Sequence, residues 1–190
     1  TSGTVDVTLG GVISNTTANV TAGSVTIDGT DSTWTNTDTL TISGGVNVTG
    51  SGVVSGTTAD VTGGSVMVTG AGSMWTNSGG LTTSGTVDIT LGGVISNTTA
   101  NVTAGTVTVD GTNSTWTNTD TLTISGGVNV TGGGVVSGTT VDVTGGSVMV
   151  TGADSMWTNS GGLTTSGTVD VTLGGVILNT TADVTAGGVT

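Results

Sequence analysis

Valine recurs along this chain at intervals of 20 and 21 residues. Val5, Val25, Val46, Val66, Val87, Val107, Val128, Val148, Val169 and Val189 form one column, each two residues after a glycine. Two residues further on stand Val7, Ile27, Val48, Val68, Ile89, Val109, Val130, Val150 and Val171, all β-branched. The positions between them (Asp6, Thr26, Asn47, Met67) are polar or tolerate exposure. Alternation with period two and β-branched inward residues predicts short strands. A third column, Ile13, Trp34, Val54, Trp75, Ile95, Trp116, Val136, Trp157 and Ile177, alternates an aliphatic residue with tryptophan. Counting by the same interval assigns a fourth: Val20, Leu40, Val61, Leu81, Val102, Leu122, Val143, Leu163 and Val184. Segments rich in Gly, Asn and Asp separate the columns and suit turns. The predicted core therefore includes Val5, Val7, Val25, Ile27, Trp34, Leu40, Trp75, Trp116 and Trp157.

The repeat is nested. TSGTVDVTL at Thr1 returns at Thr83 with one substitution and again at Thr165, a period of 82. The four tryptophans fall every 41 residues, and each 41-residue unit divides into about 20 and 21. Propeller blades also use periods near 40, but they are built from antiparallel hairpins and do not repeat at half their length. Apolar columns that advance once per half-unit describe a coil whose turns bury one another. The expected fold is all-β: a parallel β-helix (β-solenoid) with rungs of 20–21 residues and three short strands per rung. It runs as one continuous array over residues 1–190, with turns about 4.8 Å apart.

Composition then removes chemistry. The chain has no Lys, Arg, His or Cys, and its twelve Asp residues give a net charge of −12. There is no imidazole base, no thiolate, no disulfide and nothing to neutralise phosphate, so nucleic-acid binding is not expected. One-third of the chain is hydrophobic and strictly patterned, which argues against disorder. No membrane span or signal run is present, and the repeat starts and stops in mid-pattern, as in a segment of a longer polypeptide.

Several columns carry candidate chemistry. Asn15, Asn36, Gly56, Asn77, Asn97, Asn118, Gly138, Asn159 and Asn179 form an interrupted amide ladder, or serve as turn residues. Thr21, Thr41, Thr62, Thr82, Thr103, Thr123, Thr144, Thr164 and Thr185 align by the same counting. An ice-binding array needs a second Thr column, and the neighbour here reads Asn19, Thr39, Asp60, Gly80, Asn101. Asp28-Gly-Thr-Asp31 has the shape of a calcium loop, with Asp110 the equivalent of Asp28. The other equivalents are Thr69/Gly72, Asn113 and Thr151/Asp154, which do not keep the six or more oxygens that calcium takes. Asp28, Asp31 and Asp110 are thus the metal candidates of a chain expected to need no cofactor. The tryptophans suit core filling or an aromatic glycan platform, with core filling favoured by Ile13 in the same column. Stacked carboxylates repel, and Asp6, Asn47, Asp88, Asn129, Asp170 alternate as though to dilute that repulsion. Sparse carboxylates placed by the repeat do not make the paired acids of a glycosidase, so no enzyme activity is expected.

The segments Ser24–Asn36 (SVTIDGTDSTWTN), Ser65–Asn77, Thr106–Asn118 and Ser147–Asn159, with Leu40-Thr-Ile-Ser-Gly-Gly after the first, resemble the autotransporter-associated repeat of type V secreted bacterial surface proteins. The shared pattern is V-x-V-x-G-x-x-S-x-W-x-N, then L-x-I and a Gly-Gly turn, and it covers essentially the whole chain. The resemblance implies a right-handed parallel β-helix, secretion to the cell surface, and a passenger, adhesin or stalk role. The uniformity of the 82-residue duplication suits a polymeric extracellular filament. Its expected partner is the chain itself, end to end or laterally; surface glycans are the alternative.

Overall fold

The computed structural model describes residues 1–190 and contains 27 β-strands and no helix. The first rung comprises β1 (Val5–Thr8), β2 (Val12–Asn15) and β3 (Ala18–Val20). The second comprises β4 (Val25–Asp28), β5 (Thr33–Asn36) and β6 (Thr39–Ile42), and seven further rungs repeat the plan. The strands stack into three nine-stranded parallel sheets. Sheet A contains β1, β4 and their equivalents, sheet B β2 and β5, and sheet C β3 and β6. At about 4.8 Å per strand the nine rungs span about 43 Å. The fold is a parallel β-solenoid with three strands per rung.

Parallel pairing follows from the connections. Each strand returns to its own sheet only after a full turn, so neighbours always run the same way. Of 128 backbone–backbone hydrogen bonds, 56 lie outside the strands, so the corners stack in register as well as the sheets. Thirty-six buried apolar residues form a single cluster running through all three sheets, so the array is one body rather than a string of repeats. Each fully buried Val, Ile or Leu contributes about 1.5–3 kcal/mol relative to exposure. No helix is present that could cross a membrane.

Sheets A and B follow the counted columns: Val5 pairs with Val25, Val7 with Ile27, Ile13 with Trp34 and Asn15 with Asn36. Sheet C does not. Leu40 pairs with Ala18 and Ala59, while Val20 pairs with Ile42. The inward columns of sheet C are therefore Ala18, Leu40, Ala59, Leu81, Ala100 and Val20, Ile42, Val61, Thr83, Val102, continuing upward. The cause is a trade between corners. From a rung without Trp to its Trp-bearing neighbour, the step from sheet A to B lengthens from six residues (Val7 to Ile13) to seven (Ile27 to Trp34). The B-to-C step lengthens from three (Asn15 to Ala18) to four (Asn36 to Leu40). The C-to-A step shortens from five (Val20 to Val25) to four (Ile42 to Val46), which leaves rungs of 20 and 21.

The threonine column dissolves for the same reason. Thr41 stacks on Asn19 and Asp60, and Thr82 on Asp60 and Asn101. No continuous Thr face exists, so the Thr array that ice binding requires is absent. Carboxylates are spaced as the alternation suggested. Asp6 stacks on Thr26, Asp88 on Met67 and Thr108, and Asp60 on Thr41 and Thr82, so none of these meets another Asp in the next rung.

Candidate functional site

A polar constellation that repeats in the interior lies along the inner face of sheet B. Trp34, Trp75, Trp116 and Trp157 point inward and are fully or almost fully buried. Large and small alternate up the column: Trp116 lies between Ile95 and Val136, and Trp75 between Val54 and Ile95. Alternating large and small side chains lets the column interdigitate at the density of a packed interior. Buried in this way, the tryptophans present no surface platform.

Each indole N–H needs an acceptor once buried. Trp75 Nε1 donates to Asn77 Oδ1 at 3.1 Å and Trp157 Nε1 to Asn159 Oδ1 at 3.0 Å, both on their own rung. Trp34 Nε1 donates to Asn15 Oδ1 of the preceding rung at 2.8 Å. Trp116, one 82-residue repeat later, stands in the same relation to Asn97, whose amide oxygen accepts at 3.1 Å when the amide is turned. The amides also stack: Asn15 Nδ2 donates to Asn36 Oδ1 at 2.5 Å, and Asn159 Nδ2 to Asn179 Oδ1 at 2.7 Å. The Asn column is thus both ladder and indole acceptor rather than a set of turn residues. Gly56 and Gly138 interrupt it, and beside the second gap both amide atoms of Asn118 are buried without a partner.

A second buried group was not singled out by sequence reasoning. Ser32, Ser73, Ser114 and Ser155 are fully buried at the corner between sheets A and B. Ser114 Oγ donates to the Asp110 carbonyl at 2.7 Å and accepts from the Gly92 N–H of the preceding rung at 3.0 Å. Ser32 and Ser155 do the same with Asp28 and Gly10, and with Thr151 and Gly133. One hydroxyl therefore closes a corner and ties it to the rung before. Replacing Ser114 by Ala takes the partner from the buried Gly92 N–H and a bond from the half-buried Asp110 carbonyl. A loss of about 1–3 kcal/mol is expected, seen as a fall in Tm of roughly 2–4 °C per kcal/mol for a chain of this size. An unchanged thermal melt of Ser114→Ala would show that the corner does not depend on the hydroxyl.

The acidic candidates lie elsewhere. Asp28 ends β4 on the outer surface, and its Oδ1 accepts from Thr49 Oγ1 at 2.6 Å. Asp110 Oδ1 likewise accepts from Thr131 Oγ1 at 2.5 Å. Asp31 is exposed in the corner with φ of 65°, a conformation that Asp tolerates. Nowhere do three acidic side chains gather as a metal-holding group. Asp28 and Asp110 each stand within a Thr column, between Thr8 and Thr49 and between Thr90 and Thr131, instead of facing another carboxylate. Concave surfaces occur only at the two ends of the stack. One is lined by Val169, Val171, Ile177 and Val184, the other by Val5, Ile13, Val20 and Trp34. Both are uncovered core, and neither holds a titratable side chain. No family model, no curated protein and no solved structure matches this chain.

Proposed function

We propose that this chain is a structural segment of an extracellular filament or stalk, in which the stacked repeat is itself the function. One observation carries the reading: register is unbroken over nine rungs, with no inserted loop or flank pocket at which the repeat departs from itself. A catalytic site, or a pocket for a single small molecule, on a solenoid requires such a departure, because identical rungs offer identical surfaces. We therefore read the chain as non-enzymatic and free of cofactors. The V-x-V-x-G-x-x-S-x-W-x-N repeat supports a bacterial surface setting. It also supports a second reading, an autotransporter-type passenger that displays the rod and contacts glycans or host surfaces.

Negative-stain electron microscopy of the native material separates the two. Regular filaments several times longer than 43 Å are expected on the first reading, and isolated rods projecting from an outer membrane on the second. The filament should also resist proteinase K, since every strand is paired on both edges except at the ends. Rapid digestion of intact material, or globular particles in the micrographs, would remove the filament reading. A glycan array without hits would remove the second.

A further inference from the structure

We propose that the outer face of sheet B is a lateral contact between two copies of this chain, with Leu9, Leu91 and Leu173 along its border. The proposal rests on the filament reading and names the surface through which such rods associate sideways.

The first observation is the placement of charge. Of the twelve carboxylates, eight lie on strands of sheets A and C. The other four stand at corners: Asp31 and Asp154 between A and B, Asp38 and Asp120 between B and C. No strand of sheet B carries any. The chain has no Lys or Arg to neutralise them. Two copies that met through sheet A or C would bring carboxylates together, and like-charge juxtaposition costs several kcal/mol. Sheet B is the face on which two such polyanions meet at the least of that cost, since only the four corner carboxylates flank it.

The second observation is what sheet B presents. The outward residue that opens each strand reads Val12, Thr33, Val53, Met74, Val94, Thr115 and onward, a ridge of Val, Met and Thr along the rod. Met74 remains 39% exposed in mid-stack. Beside the ridge runs a Ser/Thr ladder, in which Ser55 donates to Thr35 and Ser137 to Thr117, each at 3.2 Å. Flat ladders of repeated side chains interdigitate across sheet–sheet contacts about 10 Å apart.

The third observation is strain. Leu9, Leu91 and Leu173 sit in the left-handed region at φ of 53°, 54° and 51°. Leu91, in the middle of the stack, is 73% exposed. That conformation costs an L-residue with a Cβ roughly 1–2 kcal/mol. Gly50 and Gly132 occupy the matching corner of the intervening rungs, each at φ of 58°, so glycine is a ready alternative in this chain. A leucine that strains its backbone and covers nothing within its own chain is accounted for by contact outside it. The three recur every four rungs, about 19 Å apart.

The footprint sets the strength. Nine rungs of about 4.8 Å by a four-residue strand of about 13 Å give about 560 Å² per copy, against the ~800 Å² per partner of a standard interface. Two 190-residue arrays therefore associate weakly, and longer arrays more tightly in proportion to their rungs. Salt strengthens the contact by screening the flanking carboxylates, since the Debye length falls from about 30 Å at 0.01 M to about 3 Å at 1 M.

Sedimentation velocity over a range of protein concentrations, at low and at high salt, tests this. The wild-type chain is expected to dimerise at least tenfold more tightly at high salt. Met74→Asp combined with Met156→Asp should keep it monomeric. Leu91→Gly should weaken association several-fold while leaving the thermal melt equal or higher, because it removes backbone strain. Asn101→Asp on sheet C, where Asp60 and Asp142 already stand in the same column, should leave high-salt association unchanged. A wild type that stays monomeric at every salt overturns the proposal. So does association that survives the Met74/Met156 change, or that Asn101→Asp abolishes equally. Small-angle scattering on the same samples separates the two readings: a monomeric rod removes the lateral contact and leaves the filament reading, and a chain that is no rod removes both.

Discussion

Alanine in place of Gly126 is expected to divide the stack. A Cβ on Gly126 collides with the carbonyl of Gly105 in the preceding rung, and Gly44, Gly85 and Gly167 meet the carbonyls of Gly23, Gly64 and Gly146 in the same way. The backbone of Gly126 is not in the left-handed region, so the effect is steric rather than conformational. Overpacking costs typically about 1–3 kcal/mol, and more when the obstructing atom cannot rotate away. Here that atom is backbone held in the ladder, so about 3 kcal/mol or more is expected. At 2–4 °C per kcal/mol this lowers Tm by roughly 6–12 °C. In a solenoid each rung is stabilised only by its neighbours. The damage should therefore localise: hydrogen exchange should quicken at the strands flanking residue 126 while the first rungs stay protected. Gly138→Ala is the control. A Cβ there makes only ordinary contact, at 3.4 Å to Asn159 Oδ1 and 3.5 Å to Val141 Cγ2. That variant should be neutral, or stabilising by up to about 1 kcal/mol through the unfolded chain. Equal melts for Gly126→Ala and Gly138→Ala would show that the rungs do not approach as closely as the structure has them.

The glycine column was plain in the sequence, but the reasons for it were not. Gly23 and Gly105 adopt φ of 93° besides approaching the preceding rung closely, whereas Gly44 and Gly126 are required by close approach alone, so one column hides two constraints. Sheets A and B were readable because each strand carries its own marker, the Val pair or the Ile/Trp alternation. Sheet C lacked one. Ala18, Ala59 and Ala100 are weak core signals, and the corners flanking them change length in opposite senses. Counting by 20 and 21 therefore placed Leu40 over Val20 when it stacks on Ala18. The same two-residue slip created the apparent Thr array. The buried Ser114 and its equivalents were hidden by composition, since one more Ser in a chain rich in Ser and Thr gives no contrast. Their available signal was position, always two residues before Trp. The uncharged face of sheet B needed the register, because only the register decides which outward residues share a face.

Truncating Trp116 to Ala should have the largest effect of any single core change. The side chain is fully buried, and the residues stacked on it, Ile95 and Val136, are smaller and held in their own strands. They cannot move across a 4.8 Å rung spacing to refill the space without breaking ladder hydrogen bonds. Phe or Trp to Ala substitutions in packed cores cost about 3–5 kcal/mol, and this site lies at the upper end because the cavity cannot collapse. The polar cost adds to it, since Asn97 loses an indole donor in a column where Asn118 already has unpartnered amide atoms. Trp116→Phe separates the two contributions. It keeps most of the volume and loses only the N–H, so about 1–2 kcal/mol is expected from the lost hydrogen bond and the smaller ring. Chemical denaturation followed by circular dichroism measures both variants, and the emission of the three remaining tryptophans reports whether the neighbouring rungs stay closed. A Trp116→Ala variant no less stable than Trp116→Phe would mean that the indole fills no space the stack requires. The large-and-small alternation up sheet B would then have lost its physical cause.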